Sequence, residues 1–313
     1  MMANFSQPTA WAGVRATSDW SAYTLLFGRI CFAADFMLFG ARKFSNPSVI
    51  YKLIEAHHLP GALVYPTIVL QLGCGLLVLL GLQTRLAAAA FGWFCIVAPS
   101  IFWLDTLEHL SRDYAAAGGF MLLVLFGPGP FSLDRRYGIR DVVVSVVPTV
   151  VGSQTLIDRV MLVARALIAF PFLADVAKKI VHFVPQRALL APAGLPGDAI
   201  YAVMLIELVC GLALLVGWGT RPAAIVLLVW SFVLALTIHN PHYDLAIFGG
   251  DFGAVIEKNF ANRGAATFFK DVTTIGSLCV LIVYGPGALS RDARSWSHFI
   301  TFGRGPQSAS PPG

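Results

Sequence analysis

Residues 71–85 read QLGCGLLVLLGLQTR, and residues 207–221 read ELVCGLALLVGWGTR. Eight of the fifteen positions are identical, among them Cys74/Cys210, Gly75/Gly211, Gly81/Gly217 and the closing Thr-Arg. The register extends well beyond this stretch. Subtracting 136 carries Arg165 onto Arg29, Lys179 onto Lys43, Leu195-Pro196-Gly197 onto Leu59-Pro60-Gly61 and Arg221 onto Arg85, without a gap. Further on the offset becomes 158, carrying Asp271 onto Asp113, Gly276 onto Gly118, Gly285-Pro286-Gly287 onto Gly127-Pro128-Gly129 and Asp292 onto Asp134. The second copy therefore holds 22 extra residues (158 − 136), placed between its third and fourth apolar runs. Two unrelated Leu/Val-rich segments would not keep one register through polar landmarks, so the chain is a tandem duplication.

The composition says where such a chain lives. Hydrophobic residues make up 57% of the 313 positions and charged residues 12%, with mean hydropathy +0.73. A soluble domain carries about 25% charged residues to keep its surface wetted; half that amount leaves a surface facing lipid. The formal charge of +5 is dispersed, and no Lys/Arg cluster interleaved with aromatics points to nucleic acid. The five cysteines (31, 74, 95, 210, 279) sit in apolar segments without a Cys-x-x-Cys and read as small hydrophobes. The N-terminus lacks a basic region followed by a short apolar core and does not read as a cleaved signal peptide. Its Trp11 and Trp20 suit a segment at the membrane interface.

Each copy contains four apolar runs, near 22–40, 62–82, 86–104 and 114–127, then 157–175, 199–218, 222–238 and 271–285. A hydrocarbon core of ~30 Å needs ~20 residues of helix, and in lipid the backbone must satisfy its own hydrogen bonds. The runs are therefore expected to be eight transmembrane helices in an all-α protein, arranged as two tandem four-helix bundles. An even number of spans per copy implies a parallel pseudo-twofold along the membrane normal, not an inverted repeat. The chain divides into an interfacial segment (1–21), a first repeat (22–137), a connector (138–156), a second repeat (157–294) with an inserted loop at about 240–269, and a tail (295–313). Small residues in the repeated segment (Gly73, Cys74, Gly75, Cys210, Gly211) would let helices approach closely. Lys and Arg divide ten to ten between the two sides, while acids fall ten on the far side and five on the side of the termini. The termini are assigned to the cytoplasm.

Charges inside the runs are the candidates for chemistry, because such groups are costly in lipid and face a partner, a cavity or a ligand. Arg29 and Asp35 lie in the first run, Arg165 in the fifth and Glu207 in the sixth, where the first copy has Gln71. Arg165 and Glu207 lie at similar depth on neighbouring antiparallel helices, about 12 and 16 Å from the side of the termini. They are expected to pair, with Asp35 balancing Arg29. Two readings stay open: ion pairs that fix helix register, or a quinone or other ligand site. Gln71, Cys74, Gly75, Val78 and Leu82 share one helix face, which is a helix contact or a pocket wall. In the insertion, His239, His242 and Asp244 are weak candidates for a metal; a solvated or partner-facing loop is the other reading. Histidines matched in depth for a bis-His haem are not found, and no intrinsic cofactor is read. Nucleotide-binding and hydrolase motifs are absent.

One run contributes Arg29 and Gly40-Ala41-Arg42-Lys43, then come Leu59-Pro60-Gly61, a Gly-rich helix closing on Gly-x-x-Thr-Arg, and Gly127-Pro128-Gly129-x-x-Ser132-x-Asp134. This order, repeated in the second copy, resembles the DoxX family of four-helix membrane proteins. The second copy departs from it at Val176, which stands where the first has Gly40; the acid of the second helix is present as Glu207 and absent at Gln71. The resemblance implies a subunit like those of thiosulfate:quinone oxidoreductase, or an accessory protein of membrane redox and stress responses. From it comes the expectation of a membrane anchor or accessory subunit of a respiratory or sulfur-type redox complex in the bacterial inner membrane. Other subunits would be its partners, with quinone as a possible ligand near Arg165 and Glu207 and the second copy as the working half. A stand-alone carrier of a small hydrophobic molecule and a pure assembly scaffold are the rival readings.

Overall fold

The computed structural model describes residues 19–102, 107–146, 153–183, 196–237 and 264–292, and among them every regular element is a helix. The first copy gives α1 (Asp19–Ser45), α2 (Pro47–Ala56), α3 (Val64–Leu80), α4 (Thr84–Phe102), α5 (Leu107–Phe126) and the short α6 (Leu133–Tyr137). A short α7 (Val142–Val146) follows. The second copy gives α8 (Gln154–Val181), α9 (Ala199–Val216), α10 (Thr220–Leu236) and α11 (Gly264–Tyr284). Among the described residues five segments are long and apolar enough to cross a membrane: α1, α3 with its lead-in from Gly61, α4, α8 and α9. α10 and the 271–284 part of α11 are shorter apolar helices. α5 opens with Glu108, Arg112 and Asp113, so its apolar run is short. The first helix of each copy runs to 27 or 28 residues, longer than its apolar run, because polar turns such as Arg42-Lys43 and Lys178-Lys179 continue it. Cations in a last turn also complement the helix dipole.

α3 and α9 stop in the same way. Gly81 and Gly217 take left-handed backbone, with φ of 69° and 74°, and their N–H groups return to the last carbonyls of the helix. Outward faces of the helices are greasy: Val69, Leu76, Trp93, Leu205, Val209 and Val229 are all exposed. On a protein whose helices are this apolar, such a surface is lipid-facing. Gly73 belongs to it. A side chain there would meet nothing within 4 Å, so Gly73 does not serve the close helix approach expected of it, whereas Gly75 lies against Met37 and Gly211 against Leu173.

In place of two separately closed bundles, the copies interlock. α5 lies against α8 as well as α4, and α11 lies against α1 as well as α10, while α5 and α11 pack on each other. Glycines make both crossings possible. A side chain on Gly118 would meet the Ala164 carbonyl of α8 at 2.6 Å, and one on Gly276 would meet the Gly28 carbonyl of α1 at 3.0 Å. Offsets of 158 and 136 make these the same contact, seen once from each copy. One apolar core runs through both copies, including Phe32, Phe36, Phe91 and Phe120 of the first and Met161, Ile168 and Leu281 of the second.

Candidate functional site

Arg165 and Glu207 do not pair. Arg165 donates through Nη1 to the Pro286 carbonyl and through Nη2 to the Leu289 carbonyl, the latter at 3.0 Å. Glu207 instead accepts from Lys179 Nζ at 2.5 Å and from Trp230 Nε1 at 3.2 Å. Similar depth was a poor guide because helical side chains lean toward the N-terminus of their own helix. α8 and α9 run in opposite directions, so Arg165 leans toward the Gly-Pro-Gly turn and Glu207 leans away from it. Lys179 lies farther along α8 and leans back toward Glu207. The two acid and base stems that meet are those whose tilts converge.

Arg29 repeats the role of Arg165. Its Nη2 donates to the Phe131 carbonyl, and Phe131 is the counterpart of Leu289. Arg29 therefore does not balance Asp35, which lies farther along α1 and bonds across to Thr273 of α11. Both arginines are fully buried and both hold the turn that follows the last helix of their copy. The Thr-Arg motif serves the same corner. Arg221 Nη2 reaches the Val283 carbonyl at 3.5 Å, and Arg85 lies beside Gly127 and pairs with Asp141 at 3.6 Å. Backbone bonds tie the two motifs together: Asp134 N–H donates to Gly81 O at 3.1 Å, and Asp292 N–H to Gly217 O at 2.9 Å. Asp292 also takes the Gly219 and Thr220 N–H groups at 2.7 Å each, capping α10. These motifs build the corners of the fold.

Two further clusters of buried polar groups lie away from these corners. One, in the second copy, is Lys179, Glu207 and Trp230, from α8, α9 and α10. Glu207 is 1% exposed, whereas the Lys179 side chain is 14% exposed and Trp230 half-buried. The same positions in the first copy are Lys43, Gln71 and Phe94. There the Lys43 ammonium lies over the Phe94 ring, 5.6 Å from its centroid, and Gln71 is buried with Oε1 unpartnered. Acid and indole donor are thus gained or lost together. That paired difference was visible in the two offset-aligned copies and would have pointed to Trp230 and Lys179, which the reading of depth alone missed. On the shared helix face, Gln71, Gly75 and Val78 are buried, as are Glu207, Gly211 and Leu214.

A second cluster joins the copies. Asp35 is 1% exposed; its Oδ2 bonds to the Thr273 hydroxyl, and its Oδ1 has no hydrogen-bond partner. Arg112 lies nearby but is committed to Asp113, with Nε and Nη2 each 2.9 Å from Oδ1, and its guanidinium sits 4.7 Å from the Phe39 ring centroid. His239, His242 and Asp244 lie outside the described residues, among which no group of three or more His, Cys, Asp or Glu is placed to hold a metal. The five cysteines are free.

Comparison with known proteins agrees with the duplication. The DoxX family model matches residues 24–106 and again 160–240. The chain is similar to the inner membrane protein YqjF of Escherichia coli (strain K12), 29% identical over 116 residues, which is 36% of this chain and 89% of that protein. It is also similar to the inner membrane protein YphA of the same organism, 25% identical over 136 residues, 43% of this chain and 89% of that protein. No solved structure matches. Each relative thus corresponds to a little more than one copy. Two matches of one family model, covering over half of an apolar chain whose corners are built by one motif set used twice, make this an integral membrane protein of the DoxX family.

Proposed function

We propose that this chain is an accessory or anchor subunit of a membrane redox complex in the bacterial inner membrane, and that its second copy offers a quinone-type ligand the Lys179–Glu207–Trp230 cluster. The observation that carries the reading is this cluster itself: a carboxylate, an ammonium and an indole N–H brought together inside an otherwise apolar helix layer. Intramembrane ionisable groups of this kind mark ligand or ion sites by default. Lys179, whose ammonium has donors beyond the one given to Glu207, is suited to a carbonyl oxygen, Glu207 is an acceptor suited to a hydroxyl, and Trp230 holds the carboxylate in place. A quinone presents the first and its reduced form the second. Lys179 and Trp230 retain partial exposure, which gives a lipid-soluble ring a way in. Arg165, occupied with the Pro286 and Leu289 carbonyls, is no part of this site.

Eight spans with both termini in the cytoplasm, and copies related by an axis along the membrane normal, complete the proposal. It is supported by the reciprocal Gly118–Ala164 and Gly276–Gly28 crossings. The test is purification in mild detergent with extraction of bound lipid, followed by labelling with a photoreactive quinone analogue. Label on α8–α10 that is lost in Glu207→Gln/Trp230→Phe, and kept in Arg165→Met, is the expected result. A stable assembly with partner proteins but no quinone and no label would favour the scaffold reading. Label without partner proteins would favour a stand-alone carrier.

A further inference from the structure

We propose that Asp35 is a proton-binding site inside the bundle, at the joint between the two copies, loaded from the end at which α5 and α11 begin. This does not rest on the quinone reading and involves none of the residues of that cluster. Asp35 comes from α1 of the first copy and meets Thr273 of α11 in the second. It is fully enclosed, and one carboxyl oxygen has no donor. A carboxylate with a single hydrogen bond in a low-dielectric interior is strongly disfavoured relative to the neutral acid, unless a cation is free to pair with it.

Among the described residues no cation is hydrogen-bonded to Asp35, and the one that acts on it through space, Arg112, is already paired. From α5, Arg112 directs Nε and Nη2 to Asp113, and Asp113 adds a like charge that offsets it. On α1 itself, Lys43 lies beyond Asp35 with its ammonium over Phe94, and Cys31 is an apolar neighbour. α4 contributes Cys95, α3 the uncharged Gln71, and α11 carries Asp271 before Thr273. The contact to Thr273 serves both states. The hydroxyl donates to the carboxylate, and it accepts when Oδ2 carries the proton. In the neutral state Oδ1 is an ordinary carbonyl oxygen, whose lack of a partner costs far less than that of a charged one.

The path is polar on one side only. Ser111 and Asp113 are buried in the second turn of α5, and Asp271, Thr274 and Ser277 in the middle turns of α11. The seam ends where the Ser277 hydroxyl donates to Ala115 O at 2.8 Å. Beyond it Phe120, Leu123, Leu278 and Leu281 are fully buried and apolar. A proton therefore enters and leaves at the same end, and Asp35 is a loading site, not a step in a transmembrane wire.

Infrared difference spectroscopy of the full chain in detergent, stepped in pH, reads this directly. A protonated carboxylic acid has a carbonyl stretch that carboxylates lack and that shifts in heavy water. The expected result is such a band that disappears in Asp35→Asn and persists in Glu207→Gln. A chain with no carboxylic acid band lost in Asp35→Asn would overturn the proposal and leave Asp35 as an ionised structural group. Should Asp35→Asn fail to fold, Thr273→Val keeps the acid and removes its hydrogen bond; the band must then move to higher frequency. An unmoved band overturns the assignment.

Discussion

Phe126 and Tyr284 stack where α5 and α11 end, with ring centroids 4.5 Å apart, and the offset of 158 makes them one position in the two copies. Gly119 meets Ser277, its own counterpart, in the same seam between α5 and α11. Contacts between a residue and its counterpart are what a local twofold between these helices requires. Tyr284 then adds what Phe126 lacks, a hydroxyl donating to Gly127 O at 2.9 Å. Tyr284→Phe should keep the stack and lower stability by ~1 kcal/mol. Tyr284→Ala should lose the stack as well, for a total of ~3–5 kcal/mol. Thermal unfolding in detergent checks both.

The crossings between copies should tolerate no added bulk. Gly118→Leu and Gly276→Leu force a side chain against the backbone of the other copy and should each destabilise by at least ~1–3 kcal/mol, the usual cost of overpacking. Gly73→Leu faces open space and should be close to neutral. Equal losses at all three positions would show that the copies do not interlock in this way.

Removing one member of the Lys179–Glu207 pair strands the other. Glu207→Gln should cost ~3–5 kcal/mol, as buried pairs do when broken from one side. Adding Trp230→Phe recreates the first copy, yet leaves Lys179 without its acid. A double-mutant cycle should therefore find strong coupling between Glu207 and Lys179 and near-additivity between Glu207 and Arg165. Coupling between Glu207 and Arg165 would restore the pairing that equal depth suggests.

The two corner arginines act through geometry as much as charge. Arg165 reaches two carbonyls from one guanidinium, which a lysine cannot reproduce. Arg165→Lys should lower stability by ~1–3 kcal/mol through an unsatisfied carbonyl. Asp292→Ala, which uncaps α10, should cost ~1–2 kcal/mol. Amide exchange at Gly219 and Thr220 should rise in Asp292→Ala while the middle of α10 stays protected.

Much of this fold was legible in the residues. Offsets of 136 and 158 located the duplication, and Gly81, Gly217 and the Gly-Pro-Gly turns marked helix ends whose backbone only glycine adopts freely. What the residues did not reveal was direction. Pairing Arg165 with Glu207 from their similar depths ignored the tilt that separates them, and Asp35 was balanced against Arg29 although its real neighbours, Thr273 and Arg112, come from helices far along the chain. Nothing local in α1 could announce them. Gly73 illustrates the converse, a small residue in a repeated segment that touches nothing.

The interlock also sets an order of assembly. α5 leaves the ribosome with the face around Gly118 unmated, and that face is closed only when α8 arrives. α1, the earliest of the described helices, waits longest, since its glycine face at Gly28 is closed by α11, the last of them. Until α11 is in place the glycine-lined face of α1 therefore stays uncovered, however complete the rest of the first copy is.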